Sequence, residues 1–122
     1  MLLPLLCLLI PLVYANVGIV SFEYETAAES MAIDFSVANR GDTVRADLTA
    51  EATLLRKSDG SEIATNDRQF SLAAKGVEDL SLELDTSNVP KGEYKLLLDI
   101  KDPAGKPIAS IFDSLEITTG TS

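Results

Sequence analysis

The chain has 122 residues, room for one small domain, and carries 19 acidic against 10 basic side chains for a net charge of −9. A surface of that sign repels phosphate backbones and anionic headgroups, which argues against nucleic acid and lipid surfaces as partners. There is no histidine and no tryptophan, and Cys7 is the single cysteine, so zinc fingers, Ser-His-Asp or Cys-His catalysis and disulfide frameworks are excluded.

Residues 1–22 carry no charge, and Leu2 to Val13 form a nearly continuous apolar run. About a dozen apolar residues is the length of a signal-peptide core, whereas a spanning helix needs roughly 20. Val13-Tyr14-Ala15 supplies small residues at the −3 and −1 positions of a cleavage site before Asn16. Pro4 and Pro11 count against an unbroken spanning helix, although no Lys or Arg precedes the run as a signal peptide would have it. Residues 1–15 are therefore expected to be a signal peptide or an uncleaved membrane anchor, and residues 16–122 the folded domain, outside the cytoplasm. Cys7 follows Leu6 and comes too early for a lipid-attachment site, so after cleavage the domain would hold no cysteine and rely on its core alone.

Beyond Asn16 the apolar residues recur at every second position, the mark of strands with one buried face. The expected strands are 17–25, 31–38, 44–56, 61–72 with a break near Asn66, 77–85, 93–101 and 107–118, with a short turn within 27–32. Val44, Ala46, Leu48, Ala50, Ala52 and Leu54 form the longest alternation, which sets Arg45, Asp47, Thr49, Glu51 and Thr53 on the opposite face. Between the runs lie turn-forming groups: Asn39-Arg40-Gly41-Asp42, Ser58-Asp59-Gly60-Ser61, Lys75-Gly76, Val89-Pro90-Lys91-Gly92 and Asp102 to Pro107. Seven short strands in about 100 residues predict an all-β, seven-stranded antiparallel immunoglobulin-like sandwich, preceded by the N-terminal apolar segment.

Leu84 through Tyr94 resembles the strand-to-strand corner of immunoglobulin-like and fibronectin-type-III-like sandwiches, with Gly92 two residues before Tyr94. The resemblance implies a tyrosine corner, in which the Tyr94 hydroxyl bonds upstream backbone. Phe35 to Asp42 with the long strand after it, and Asp102 to Ala109, resemble the opening and the last hairpin of CARDB-type modules of archaeal and bacterial surface proteins. The likeness extends over residues 17–118 and implies fold more than function. A short apolar segment followed by one acidic sandwich also resembles the stator subunits of the archaeal flagellum, which contact the surface layer.

Arg40-Gly41-Asp42 spells the integrin-binding tripeptide, but Asn39, Gly41 and Asp42 are also what a tight turn requires. Asp99, Asp102 and Asp113 with Asp59, Glu62 and Asp67 are the candidate calcium carboxylates, and they lack the dense spacing of a calcium loop. No metal and no cofactor is expected. No Gly-rich phosphate loop occurs, and no carboxylate pair is flanked by the aromatic residues of a sugar site. Leu55, Leu97 and Ile111 interrupt polar faces and offer an apolar strip to a partner.

The expectation is a non-enzymatic, exported or membrane-tethered module that makes protein–protein contacts at the cell envelope. Its partner would be an envelope or surface-layer protein or a second copy of itself, met through sheet edges or through the face bearing Arg45, Asp47, Thr49 and Glu51. Membrane association would run only through the N-terminal segment. The alternative is a small inhibitor-like or carbohydrate-binding sandwich that acts through one loop end, residues 39–43, 73–77 or 102–107.

Overall fold

The period-two pattern becomes seven strands in the computed structural model, which describes residues 16–118; the apolar run and its cleavage site lie outside these. The strands are β1 (Val17–Thr26), β2 (Ser30–Asn39), β3 (Arg45–Arg56), β4 (Glu62–Leu72), β5 (Val77–Asp85), β6 (Gly92–Lys101) and β7 (Pro107–Ile117). All neighbours pair antiparallel, in a three-stranded sheet of order β1-β2-β5 and a four-stranded sheet of order β4-β3-β6-β7. This is an immunoglobulin-like sandwich whose fourth strand stays beside β3. The tight β3–β4 turn holds it there: Gly60 takes φ +73°, its N–H bonds the Arg56 carbonyl, and Arg56 N–H bonds the Ser61 carbonyl.

The core lies between the sheets. Met31, Ile33, Phe35 and Val37 of β2 and Leu80, Leu82 and Leu84 of β5 face Leu48, Leu54, Leu96, Leu98 and Ile100 of the other sheet, all buried. Burying each such side chain contributes about 2 kcal/mol. Ala50 and Ala52 fill the inner face of β3 opposite Arg68 and Asn66 of β4.

Three expectations need correction. β4 runs without a break at Asn66, because Asn66 points to the inner rim and its amide donates to the Glu83 carbonyl of β5 across the gap between sheets, at 2.9 Å. The alternation of β3 does not begin at Val44, which is 59% exposed and precedes the strand. Between Arg45↔Leu72 and Leu48↔Phe70, β3 takes three steps against two on β4, a bulge with Asp47 at φ +57°. Arg45 therefore shares the inner face with Leu72, and its Nε is buried without a hydrogen-bond partner.

Asn66 has a counterpart on the other flank. There the Tyr24 hydroxyl of β1 donates to Asp113 Oδ2 of β7 at 2.6 Å, so one side-chain bond spans each open side of the sandwich. The carboxylate accepting its proton raises the Tyr24 phenol to about 12, with burial adding to the shift.

Candidate contact surface

The expected tyrosine corner is present. Tyr94 is 2% exposed and its hydroxyl donates to the Pro90 carbonyl at 2.6 Å, which ties the β5–β6 crossover to the start of β6. An open hollow beside it is lined by Arg56, Lys57 and Lys91. Arg56 is already engaged there with Asp59 and Ser61.

The Arg40-Gly41-Asp42 turn is built into the fold. Asn39, 2% exposed, donates its amide to the Thr43 and Ala73 carbonyls at 2.8 and 3.1 Å and accepts the Gly41 N–H at 3.0 Å. Arg40 N–H bonds the Asn16 carbonyl, and Lys75 Nζ reaches both the Arg40 carbonyl and Asp42. A side chain at Gly41 would stand 3.0 Å from the Asn16 amide nitrogen. Each part of the tripeptide thus serves the junction between Asn16, the β2–β3 turn and the β4–β5 turn. The three loops named for the alternative reading gather at this one end of the sandwich, as the strand registers require.

The four residues of the expected partner face separate. Thr49 and Glu51 do lie on the outer face of the four-stranded sheet, where Lys101 Nζ pairs with Glu51 Oε1 at 3.0 Å. That carboxylate raises the Lys101 pKa, first through the hydrogen bond and then through its charge. Arg45 turns inward, and Asp47 sits on the bulge. The bulge moves the start of β3 out of the row that Thr49 and Glu51 continue.

The apolar strip differs by one residue from expectation. Ile111 pairs with buried Leu98 and faces inward, whereas Phe112 pairs with Leu97 on the outer face and is 59% exposed. Lys95 Nζ stands 4.2 Å from the Phe112 ring centroid, a cation–π contact. Leu97 also lies directly opposite Thr53, so Phe112, Leu97 and Thr53 form a row across three strands. The calcium candidates are dispersed: Asp59 and Asp102 cap their own turns, Asp67 and Asp99 lie on the outer face, and Asp113 is held by Tyr24. Among the described residues no group of three or more carboxylate or thiol side chains is placed to hold a metal ion.

Charge is divided unevenly between the sheets. β1, β2 and β5 contain no Lys or Arg, and their outer face presents Glu23, Glu25, Asp34, Asp79, Glu83 and Asp85. Ser36 and Ser81 donate to Asp79 and Asp34 within that face. The four-stranded sheet mixes both signs with its apolar row.

No family model matches the sequence, and no curated protein does. Solved structures share the fold. A glycosyl hydrolase family 2 member from Bacteroides cellulosilyticus matches 84% of the chain with TM-score 0.67 and 14% identity, over 14% of its own length. A β-glucuronidase from glycoside hydrolase family 2 matches 82% with TM-score 0.62 and 16% identity, over 11% of its length. The Pseudomonas fluorescens alkylpurine DNA glycosylase AlkC, solved on DNA containing an abasic site analogue, matches 84% with TM-score 0.60 and 16% identity, over 30% of its length. The chain thus spans a small part of each of these proteins, and such identities establish the sandwich alone.

Proposed function

We propose that the chain is a non-enzymatic, exported or membrane-tethered sandwich module that makes protein–protein contacts at the cell envelope through the outer side of its four-stranded sheet. The observation that carries this reading is the exposed Phe112 beside Leu97, with Lys95 over its ring and Leu55 opposite Lys95, on the outward side of the four-stranded sheet. An aromatic ring next to a cation is a favoured anchor for a protein surface. The signal-like start of the sequence and the resemblance to CARDB-type surface modules support the location, and the acidic three-stranded sheet disfavours nucleic acid.

The test combines intact mass and fractionation of the chain from its native cells with co-purification of wild type and Phe112→Asp. The expected result is a chain in the envelope or outside the cell, with an associated protein, or a second copy, whose retention Phe112→Asp abolishes. A full-length chain in the cytoplasm whose associations ignore Phe112 would overturn the proposal. Hydrolysis of a simple aryl glycoside, lost on replacing a single carboxylate, would overturn its non-enzymatic part.

A further inference from the structure

The bulge at the start of β3 carries a cation inward without giving it a counter-charge. Arg45 lies opposite Leu72, half-buried, and among the described residues its guanidinium makes no hydrogen bond and no ion pair, with Nε fully enclosed. A buried donor without a partner lowers stability, and an apolar side chain beside Leu72 would avoid that cost. The bulge adds a second cost, since Asp47 holds φ +57° without being a glycine. Bulges of this kind re-aim side chains beside binding sites.

Arg45 lines a hollow of about 180 Å³ at the end of the sandwich, together with Asn16, Asn39, Gly41, Asp42 and Thr43. The acceptors around it are already engaged. The Asn16 carbonyl takes the Arg40 N–H, the Gly41 carbonyl takes the Lys75 N–H, and the Thr43 carbonyl takes the Asn39 amide, whose own oxygen accepts from Gly41. Asp42, the one carboxylate of the hollow, is paired with Lys75 Nζ at 3.2 Å. The groups left without a partner are the Arg45 guanidinium and the Asn16 side-chain amide, whose nitrogen would stand 3.0 Å from a Cβ at Gly41.

We infer that this hollow is a binding site for a carboxylate, presented as an aspartate or glutamate side chain by a partner protein. The planar guanidinium fork matches a carboxylate, and the bond between them is charge-assisted. The hollow is smaller than the clefts that enclose a whole small molecule, and its size suits the end of one side chain. The net charge of −9 does not forbid an anionic guest, because repulsion from distant carboxylates is screened over about 8 Å at physiological salt while a partly buried contact pair is screened much less. The site lies apart from the Phe112 surface and does not depend on the function proposed for it.

Nuclear magnetic resonance titration of the nitrogen-15-labelled full chain, in an uncharged detergent and a carboxylate-free buffer, tests the inference with the capped tripeptide Gly-Glu-Gly. The expected result is a saturable shift, at millimolar peptide, of the Arg45 Nε–H signal and of the backbone amides of residues 41–45, with no such shift from Gly-Gln-Gly. Arg45→Met should weaken binding at least tenfold, read on the same backbone amides, and keep the wild-type thermal transition. Arg40→Met, which removes an exposed charge from the same turn but outside the hollow, should bind as wild type does. Silence with Gly-Glu-Gly, an equal response to both peptides, or an equal loss in both variants would overturn the site. Acetate binding as tightly as the peptide would overturn the assignment to a protein side chain, and a marked loss of stability in Arg45→Met would overturn the premise that its charge has no partner within the chain.

Discussion

Replacing Tyr94 by phenylalanine isolates the tyrosine corner, because the ring keeps its burial and only the 2.6 Å bond to the Pro90 carbonyl is lost. A net intramolecular hydrogen bond contributes about 1 kcal/mol, and a carbonyl stripped of its partner costs more when water cannot replace it. The bond is only part-buried, so the expected loss is that of a net hydrogen bond, about 1–1.5 kcal/mol. For a domain of this size that is a fall of roughly 4–10 °C in Tm. Tyr24→Phe is the matched control: it loses a bond of the same 2.6 Å length, but one exposed to solvent, and should cost less than about 0.5 kcal/mol. Urea titration of wild type and both variants, followed by far-UV circular dichroism, measures the difference. Equal losses in the two variants, or a Tyr94→Phe change below about 0.3 kcal/mol, would refute the argument that burial sets the value of this bond.

Asn39→Ala removes an amide that serves three backbone groups and should destabilise by about 2–3 kcal/mol in the same titration. Leu98→Ala, at a fully buried central position, should cost about 2–5 kcal/mol through lost transfer energy and the cavity left behind. Arg45→Met should be neutral or stabilising within about 0.5 kcal/mol, because the buried Nε it removes has no partner to lose. Tyr24 is raised from 10.0 to about 12, so its bond favours the folded state fully below pH 10 and that contribution is lost as pH rises toward 12. Absorbance at 295 nm should show one phenol titrating near 12 that is absent in Tyr24→Phe, and the variant's stability should fall less steeply over that interval.

The strands were legible because alternation and turn residues agree at nearly every boundary: Asp-Gly between β3 and β4, Lys-Gly before β5, Pro-Lys-Gly before β6. The tyrosine corner was legible for a similar reason, its spacing being local. What escaped depends on pairing between strands. The bulge at Asp47 leaves the pattern of β3 unchanged to the eye, since Val44 and Ala46 continue the alternation, yet one extra residue turns Arg45 inward. In β7, apolar residues occupy both parities, Ile111 beside Phe112, and only the register with β6 decides which faces out. Asn66 looked like a break because a polar residue had fallen on an inner position, and only the nearness of β5 shows where its amide goes. The contact surface combines residues of β6 and β7 that alternation in either strand alone could not align.

Asn16 and residue 118 lie at opposite ends of the sandwich, with β1 and β7 running in the same direction between them. Tension applied between these two points would pull β1 along β2 and β7 along β6. Antiparallel ladder bonds stand perpendicular to their strands, so such a load shears each ladder as a whole instead of opening it bond by bond. Force reaching the domain through its ends would therefore be shared from Val17↔Asn39 to Thr26↔Met31 on one side and from Gly92↔Ile117 to Lys101↔Pro107 on the other. A load along the long axis would thus meet two antiparallel ladders in shear, one in each sheet.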